Sequence, residues 1–415
     1  MRETGGPEQH LNAAAPARRP GSWAVLGAYV ALVAASHLLW ISFAPVTGRA
    51  ADAFHTTNVS IGLLVSVGPL CSAALSIPAG AVADRYGYRA PLLWAGLATS
   101  VFAFLRPLAG GFPMLLVLTV GLLVPQPFLI NAVADLVNRH FPEAEAATAT
   151  GLGTMAIFLG ITLGLVATPG LSSAAGVRGS QVVYAAASLA ALVVFWRLAP
   201  RPVPDRLVAP EELPVRQALA RVLRSATQWK LSAALFLGFG CYLGITTWLE
   251  ELLRPRGIDE AGAGLVAGMI TIAGMAGSVV LGAASDRVRR RKPFLVAAGV
   301  AAAPTLWLLG SLGPLLAAAF VLGFFLLAAL PIAIALASED LSLGPQVGST
   351  AVGVMLLAGN LGGAVVVAAL GALQQATGDL QAAGGLTGGL AVVVALLALK
   401  IPDPLRRTGR GDPLA

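Results

Sequence analysis

The sequence predicts an all-α polytopic membrane protein with 12 transmembrane helices in two pseudo-symmetric six-helix halves. Three observations support this fold class: 57% of the 415 residues are hydrophobic, only 11% are charged, and apolar runs of spanning length recur along the chain. A typical soluble domain has roughly 45–50% apolar and 25% charged residues. A soluble enzyme, a disordered chain and a disulfide scaffold are therefore poor fits, and both cysteines, Cys71 and Cys241, lie inside apolar runs.

Each predicted span approaches the roughly 20 apolar residues that a helix needs to cross a bilayer. The first six spans are Trp23–Pro45, Val59–Ala83, Pro91–Leu108, Phe112–Asp135, Ala149–Gly170 and Gln181–Leu198. The second six are Leu231–Leu253, Gly262–Ala284, Pro293–Gly310, Leu312–Ser338, Gly348–Leu373 and Gly385–Lys400. The chain therefore divides into an N-terminal tail (1–22), an N-terminal half (23–198), a linker (199–230), a C-terminal half (231–400) and a C-terminal tail (401–415).

The positions of the basic residues predict the orientation of the spans. Cytoplasmic loops of membrane proteins carry an excess of Lys and Arg. With the N-terminus in the cytoplasm, 22 of the 27 Lys and Arg residues lie inside, and the five outside are Arg49, Arg106, Arg178, Arg254 and Arg256. We therefore expect a protein of the cytoplasmic membrane with both termini inside. The net charge of +7 reflects this bias and not nucleic-acid binding.

The linker contains one segment with the spacing of an amphipathic helix. From Arg216 to Arg224, the residues Leu219, Val222 and Leu223 are predicted to share one side. Such a helix would lie along the inner membrane surface. The alternative is that the whole linker is a flexible tether.

An internal repeat relates the two halves. The loop after the second span reads G-A-V-A-D-R-Y-G-Y-R-A-P, and the loop after the eighth span reads G-A-A-S-D-R-V-R-R-R-K-P. Four residues recur 202 positions later, in the pairs Gly80 and Gly282, Asp84 and Asp286, Arg85 and Arg287, and Pro91 and Pro293. Two parallel six-helix repeats are typical of large transporter families, whose substrate site lies between the halves.

The first loop closely matches the G-x-x-x-D-R-x-G-x-R signature of the major facilitator superfamily, which the chain resembles from Trp23 to Lys400. The second loop is similar to the C-terminal copy of that signature, with Arg289 in place of the later Gly. The resemblance implies a secondary transporter that works by alternating access. The residues assigned to its gating motif are Gly80, Asp84, Arg85, Gly87, Arg89, Asp135, Gly282, Asp286 and Arg287.

The physical chemistry of the first loop is consistent with gating. Gly87 permits a tight turn, and Asp84 can cap a helix or pair with basic groups where two helices meet. Such a charge cluster would latch one half to the other in the outward-open state. The alternative is that Arg85 and Arg89 only anchor the topology of the chain.

Polar groups inside the spans are costly in hydrocarbon and by default indicate a pathway. We expect substrate contacts from spans one, four, seven and eleven, at His37, Trp40, Gln126, Asn131, Tyr242, Thr246, Trp248 and Asn360. His37 titrates near neutral pH, so it is also a candidate for proton coupling. For several of these residues the alternative is a hydrogen bond that only links neighbouring helices.

Acidic and basic residues near the outer ends of the spans are further candidate functional residues. Tyr242, Thr246 and Glu250 follow one another at intervals of four and so form one stripe of a helix, which predicts cation binding or proton coupling by Glu250. Glu251 is expected to face the headgroups, and the alternative is that both acids mark the membrane boundary. Arg106 is expected to extend outward to the interface.

Prolines and glycines predict local features of two spans. Pro125 and Pro127 are expected to break the hydrogen-bond ladder of span four, because proline has no backbone N–H. The freed carbonyls must then be satisfied by protein or by a water-filled cavity. Gly160-x-x-x-Gly164 in span five is expected to be a helix-packing surface.

Two stretches resemble a particular branch of the superfamily. These are L-W-I-S-F-A-P-V in span one and Q-P-F-L-I-N-A-V-A-D-L-V-N-R-H-F-P at span four. They look like the feline-leukaemia-virus subgroup C receptor-related branch, whose animal members are associated with haem or choline-type cargo. If a cationic solute is the cargo, the resemblance favours an aromatic cage of Trp40, Tyr242 and Trp248.

No catalytic motif competes with transport. The sequence contains no H-E-x-x-H, G-x-S-x-G or phosphate-binding loop, so we expect neither an enzyme nor a cofactor or metal site. We expect a monomeric transporter of a small-molecule substrate that draws on an ion gradient, with the proton as the first candidate. The alternatives are a membrane receptor without transport and a facilitative uniporter of an organic cation.

Overall fold

The computed structural model describes residues 21–200, 215–288, 290–310, 314–338, 348–377 and 381–401. All regular secondary structure in these ranges is helical. The N-terminal half contains α1 (Ser22–Ile41), α2 (Thr47–Ala53), α3 (Asn58–Tyr86), α4 (Arg89–Leu105), α5 (Phe112–Leu123), α6 (Gln126–Asn131), α7 (Val133–His140) and α8 (Glu143–Leu198). The C-terminal half is preceded by α9 (Val215–Arg224) and contains α10 (Ala226–Leu253), α11 (Glu260–Val288), α12 (Lys292–Gly310), α13 (Leu315–Leu326), α14 (Ala329–Ser338), α15 (Gly348–Thr377) and α16 (Gln381–Leu399).

The twelve predicted spans correspond to these helices. In the described ranges, nine helical segments are long and apolar enough to cross a membrane, and two shorter apolar helices cover Lys292–Pro304 and Gly385–Leu399. One of the nine, Ala149–Leu198, contains both span five and span six. The two spans are divided at Gly176, where the backbone of α8 leaves helical geometry with φ 73°. The all-α polytopic fold class is therefore confirmed.

Local signals determine where the long helices begin and end. The Thr57 side chain accepts a hydrogen bond from the Ser60 N–H (3.2 Å) and so caps α3, and Gly87 ends α3 with φ 71°. The predicted end of this span at Ala83 was three residues short, because hydropathy falls before the helix does. Ser225 caps α10 in the same way, by accepting from the Gln228 N–H (3.3 Å).

Spans four and ten are broken near the middle. The predicted break at the prolines of span four is confirmed, since α5 ends at Leu123 and α6 begins at Gln126. Thr99 donates a hydrogen bond to the Leu122 carbonyl (3.4 Å), so a neighbouring helix helps to satisfy the break. In span ten, the Ser278 hydroxyl of α11 donates a hydrogen bond to the Leu327 carbonyl (3.2 Å). Leu327 is 202 positions after Pro125, so the two breaks are at equivalent places in the two halves.

Glycines allow helix backbones to pack closely within each half. Gly160 and Gly164 of α8 lie against the backbone of α1 at Ala34 and Leu38. In the C-terminal half, Gly362 of α15 lies against the Phe236 carbonyl of α10. Since membrane helices associate largely through such packing, these contacts explain the small-residue runs in the sequence.

The two halves meet along two helix pairs. α3 packs against α15, and the first part of α8 packs against α11. Ser66 of α3 donates a hydrogen bond to the Ala364 carbonyl of α15 (3.2 Å), and Gly264 of α11 lies against Leu165 of α8. The cleft between the halves is therefore bordered by spans two, five, eight and eleven.

The amphipathic segment of the linker is helical, as α9, but its buried face differs from the predicted one. Ala218 and Val222 are buried against the C-terminal half, whereas Leu219 and Leu223 are exposed. The spacing places Leu219, Val222 and Leu223 on one side of the helix as predicted, but Val222 meets protein while the two leucines are exposed. The helix has two apolar flanks, and sequence periodicity alone does not tell which of them meets protein.

We expect Gly160→Ala to lower the free energy of unfolding by about 1–3 kcal/mol, since the new Cβ would overlap the Ala34 carbonyl oxygen and push α1 and α8 apart. Gly151→Ala in the same helix is the matched control, because a Cβ there meets no atom within 4 Å. Thermal unfolding of the purified proteins in detergent measures the difference. Equal unfolding midpoints for the two variants would show that this contact does not constrain the fold.

Candidate functional site

Three predicted site residues come together in the N-terminal half. His37 and Trp40 of α1 are buried, with ring centroids 6.0 Å apart, and the His37 Nδ1 lies 2.9 Å from the Val33 carbonyl oxygen. Gln126 of α6 donates a hydrogen bond to the Ser36 hydroxyl (3.4 Å). The break in span four thus places an amide beside the polar face of α1, and the N-terminal half carries a compact polar and aromatic cluster.

An equivalent ring pair lies in the C-terminal half. Phe239 and Tyr242 of α10 have ring centroids 6.1 Å apart, and each stands 202 positions after a member of the first pair. The Tyr242 hydroxyl is 3.0 Å from the Thr271 hydroxyl of α11, and Thr246 donates to the Tyr242 carbonyl (2.8 Å). The internal repeat therefore also relates the two ring pairs in the middle of spans one and seven.

The two asparagines make mainly helix-stabilising contacts. Asn131 donates to the carbonyls of Pro127 (2.9 Å) and Ser76 (3.4 Å), so it ties α6 to α3. Asn360 donates to the Leu356 carbonyl of its own helix (2.9 Å) and is half-buried. The structure does not bring either asparagine into hydrogen-bond contact with the ring pairs.

The predicted aromatic cage is not assembled. Trp40 donates its indole N–H to the Val65 carbonyl of α3 (2.8 Å), and Trp248 donates to the Val367 carbonyl of α15 (3.0 Å). Among the described ring contacts, that of Trp40 is with His37 and that of Tyr242 is with Phe239. In this conformation the three side chains have different partners, and a cation pocket shared by the three rings stays a prediction.

A cluster of carboxylates joins the two halves at one end of the molecule. We call this the far end, and we call the end with the Gly87 turn the motif end. Glu250 and Glu251, at the end of α10, are buried, with exposed fractions of 3% and 7%. Glu250 accepts from the Gly48 N–H (3.4 Å) and pairs with Arg254, while Glu251 accepts from the Asn58 side chain. The expectation that Glu251 faces the headgroups was wrong, because Asn58 supplies a buried partner from the other half.

A third contact completes this cluster. Arg49, between the first and second spans, pairs with Glu260 at the start of α11 and also donates to the Ser173 hydroxyl (3.0 Å). We define the acidic seal as Gly48, Arg49, Asn58, Glu250, Glu251 and Glu260. A cavity of about 430 Å³ lies beside it, lined in part by Arg49, Arg254 and Glu260.

The contacts of the acidic seal follow the internal repeat. Arg49 and Glu251 are 202 positions apart, and so are Asn58 and Glu260. The Arg49–Glu260 pair is therefore the counterpart of the Glu251–Asn58 pair, with the roles of the two halves exchanged. Gly48 and Glu250 are also 202 positions apart and contact each other, so this contact lies on the pseudo-two-fold axis.

Close packing continues the acidic seal toward the middle of the molecule. The Trp248 ring lies between α3 and α15, where a Cβ at Gly62 would approach its Cζ2 atom to 2.6 Å and one at Gly371 would approach it to 2.8 Å. Trp248 therefore fills the interface between the halves and does not line an open pocket. Glycine at both positions makes room for the indole.

Sequence reasoning found Glu250 but missed its neighbours in the acidic seal. Arg49, Asn58 and Glu260 lie in short loops or at helix starts, where polar residues are ordinary. The internal repeat, with its offset of 202 residues, was the available signal. Arg49 is the residue 202 positions before Glu251, and Glu260 is the residue 202 positions after Asn58. The repeat can therefore find residues that local patterns do not.

At the motif end, Asp135 organises the turn after α3. Its carboxylate accepts from the Tyr88 N–H (2.7 Å) and pairs with Arg139 of the same helix (2.7 Å). Gly87 has φ 71°, and a Cβ there would lie 3.4 Å from the Asp135 carboxylate. Arg89 donates to the Ala199 carbonyl (3.0 Å), so the turn connects spans two, four and six.

The other residues of the gating motif are less defined. The side chains of Asp84, Arg85 and Asp286, and the surroundings of Gly80, lie outside the described residues. Gly282 lies within α11 with no atom within 4 Å of a Cβ, and Arg287 is exposed. A latch at Asp84 therefore stays a prediction.

Several hydrogen bonds at the motif end hold each half together. Gln228 donates to the Ala351 carbonyl (2.6 Å) and Lys230 donates to the Lys400 carbonyl (3.1 Å), both inside the C-terminal half. Asp135 and Arg89 bond inside the N-terminal half.

Arg106 is buried, not extended outward as the sequence suggested. It donates to the Leu39 carbonyl (2.9 Å) and the Ser42 hydroxyl (3.0 Å), and it also contacts Gln181. Its guanidinium carbon lies 4.5 Å from the centre of the Phe43 ring. The side chain therefore joins spans one, three and six, because carbonyls and a ring are nearer than the membrane surface.

Comparison with known proteins identifies the family. The sequence profile of the Major Facilitator Superfamily matches residues 25–254 and 251–414. The chain is 26% identical over 363 residues to the 3-(3-hydroxy-phenyl)propionate transporter of Escherichia coli K12, which covers 84% of the chain and 87% of that protein. It is 24% identical over 282 residues to solute carrier family 49 member A3 of Danio rerio, which covers 65% of the chain and 60% of that protein.

A solved structure has the same fold. The crystal structure of a bacterial homologue of the human lysosomal transporter Spinster, described as inward-facing and unoccupied, superimposes with a TM-score of 0.73 at 17% identity. The match covers 95% of this chain and all of that one. The solute carrier family 49 relative is consistent with the second resemblance in the sequence.

The prediction that the chain is not an enzyme agrees with these matches, which are to transporters. Among the described residues, no group of three His, Cys, Asp or Glu side chains is placed to hold a metal ion. The fold, the internal repeat, the profile match over both halves and the solved relative lead to one conclusion. The chain belongs to the major facilitator superfamily and functions in membrane transport.

Proposed function

We propose that this protein is a secondary active transporter that moves a small solute across the cytoplasmic membrane by alternating access. The observation that carries the proposal is the acidic seal, which joins the two halves at the far end through Glu250, Glu251 and Glu260. With both termini in the cytoplasm, the far end faces outward. The conformation is then closed to the outside.

The acidic seal has the properties of a gate that can open. Burying a carboxylate without a partner is strongly unfavourable, so the buried Glu250 and Glu251 favour the closed arrangement while their partners are in place. The partly exposed Glu260 adds its ion pair with Arg49. When the halves rock apart, water replaces those partners at little net cost, because the seal lies near the membrane surface. A contact of this kind stabilises one state without locking it.

The cargo would bind between the ring pairs of the two halves. His37, Trp40 and Gln126 offer polar and aromatic groups from one half, and Tyr242, Thr246 and Asn360 offer them from the other. We propose that Trp248 closes the interface above this site, given its position between Gly62 and Gly371. Aromatic rings with one polar atom suit small amphiphilic solutes.

Two known solutes provide the first tests of cargo. The Escherichia coli relative is named for 3-(3-hydroxyphenyl)propionate, and the second sequence resemblance implies choline-type cargo. Counterflow of each labelled solute in proteoliposomes tests transport directly. Binding without counterflow would favour a membrane receptor, and counterflow without accumulation under a proton gradient would favour a uniporter.

Cross-linking the acidic seal should stop transport. In a protein that lacks Cys71 and Cys241, we expect a bifunctional thiosulfonate reagent to join Arg49→Cys to Glu260→Cys, because the native side chains are paired across the halves. Counterflow should fall at least tenfold and return when a reductant cleaves the bridge. Each single-cysteine variant treated in the same way is the control. Full transport in the cross-linked protein would contradict a gate at this position.

Glu250→Gln tests proton coupling. The amide keeps the size of the side chain but loses the ion pair with Arg254, so we expect accumulation driven by a proton gradient to fall at least tenfold while counterflow persists. Asp259→Asn is the matched control, since Asp259 is exposed and accepts only from the Gly262 N–H. Unchanged accumulation in the Glu250 variant would exclude this residue as the coupling site.

Asp84→Asn tests the gating motif. If Asp84 latches the halves together when the far end is open, its loss should slow counterflow several-fold while membrane insertion and thermal stability stay normal. Asp52→Asn, an exposed acid at the far end, is the control. If the variant shows counterflow at the rate of the unmodified protein, Asp84 is not a latch, and the role left for the motif is to anchor the topology of the chain.

A further inference from the structure

The helix α9 lies against the C-terminal half at the motif end. Val222 is fully buried and Ala218 is 3% exposed, and both belong to a hydrophobic cluster with Leu231 of α10, Leu336 of α14 and Met355 of α15. α9 contacts both α10 and α15. One flank of this short helix is therefore part of the protein core.

Hydrogen bonds hold α9 and the start of α10 in place. The Trp229 indole N–H donates to the Leu223 carbonyl in the last turn of α9 (2.8 Å), and the Gln228 side chain donates to the Ala351 carbonyl of α15 (2.6 Å). Ser225 caps α10 between them. α9 is thus attached to the body of the C-terminal half, so the alternative of a flexible tether does not hold for residues 215–224.

The second flank of α9 is apolar and exposed. Leu219 is 38% exposed and Leu223 is 43% exposed, and Trp229, which is bonded to the same turn, is 58% exposed. Arg216 stands three and seven residues before the two leucines, so it shares their side of the helix. Two leucines, a tryptophan and two exposed arginines form one surface patch, which we call the α9 patch: Arg216, Leu219, Leu223, Arg224 and Trp229.

The charge of this region has one sign. From Val215 to Lys230 the sequence contains four basic residues, Arg216, Arg221, Arg224 and Lys230, and no acidic residue. All three arginines are exposed. An apolar flank bordered by arginines matches the boundary between acyl chains and anionic headgroups, where leucine and tryptophan enter the apolar layer and arginine binds phosphate.

We propose that the α9 patch is a binding surface for anionic phospholipids of the leaflet at the motif end. Leu219, Leu223 and Trp229 lie at the level of the upper acyl chains, and Arg216 and Arg224 bind the phosphate groups. This surface goes beyond solute transport, and its existence does not depend on the cargo. Because α9 packs on α15, bound lipid would stabilise the C-terminal half at the border of the cleft.

The first test measures lipid affinity by native mass spectrometry of the full-length protein in detergent. Phosphatidylglycerol and phosphatidylcholine with the same acyl chains are titrated separately. We expect a preference for phosphatidylglycerol that falls about 30-fold in the double variant Arg216→Gln/Arg224→Gln, since each basic residue near the surface adds about a factor of five. The matched control is Arg197→Gln/Arg290→Gln, which removes two exposed charges at the same end and outside α9.

The second test reports the position of the patch. In nanodiscs that contain phosphatidylglycerol with bromine on the upper acyl carbons, tryptophan fluorescence is compared between the unmodified protein and Trp229→Phe. We expect the brominated lipid to quench the Trp229 component, obtained by difference. Hydrogen exchange of residues 215–224 in every variant verifies that α9 stays folded.

Two outcomes would overturn the proposal. The first is equal affinity of the unmodified protein for both lipids, or an equal loss of affinity in the control and α9 variants. The second is a pair of results: the Trp229 component is unquenched, and deletion of residues 205–212 raises hydrogen exchange in α9. Together they would show that the linker, with its acidic residues, covers the α9 patch in place of lipid.

Discussion

The pairing of buried carboxylates across the two halves is the interaction on which their relative placement depends. Glu250 and Glu251 are buried and Glu260 is partly buried, and each meets a donor from the other half. Helix packing and the hydrogen bond from Ser66 to the Ala364 carbonyl also join the halves. Removing one partner would leave a charge in a poorly hydrated place, so the pairs resist separation more strongly than apolar contacts of similar size. Water near the membrane surface lowers the cost of separating these pairs enough for the two halves to move apart during transport.

Gene duplication has placed these pairs in symmetric positions with unequal chemistry. Arg49–Glu260 is an ion pair, whereas its counterpart joins Glu251 to the neutral Asn58. The ring pairs show the same asymmetry, since His37–Trp40 in one half corresponds to Phe239–Tyr242 in the other. The repeat places these contacts at equivalent positions of the two halves, while the side chains that make them differ.

The hydrocarbon environment explains the irregular parts of the fold. The breaks in spans four and ten persist because Thr99 and Ser278 donate hydrogen bonds to carbonyls beside the breaks. Arg106 is tolerated inside the N-terminal half because it donates hydrogen bonds to oxygens of Leu39, Ser42 and Gln181 and its guanidinium lies near the Phe43 ring. Glycines at positions such as Gly160 bring helices close enough for dispersion forces to replace the hydrophobic effect, which is weak between helices in lipid.

The sequence by itself determined the number of spans, the duplication and the break at Pro125, because apolar length, a fixed offset and a missing N–H are properties of the chain alone. Only the tertiary structure decided that Trp248 fills the interface, that Glu251 is buried and that α9 buries Val222 but exposes Leu223. A helical pattern states which residues share a face, and it cannot state whether that face meets protein, lipid or water. That choice depends on neighbours hundreds of residues away, such as Asn58 for Glu251.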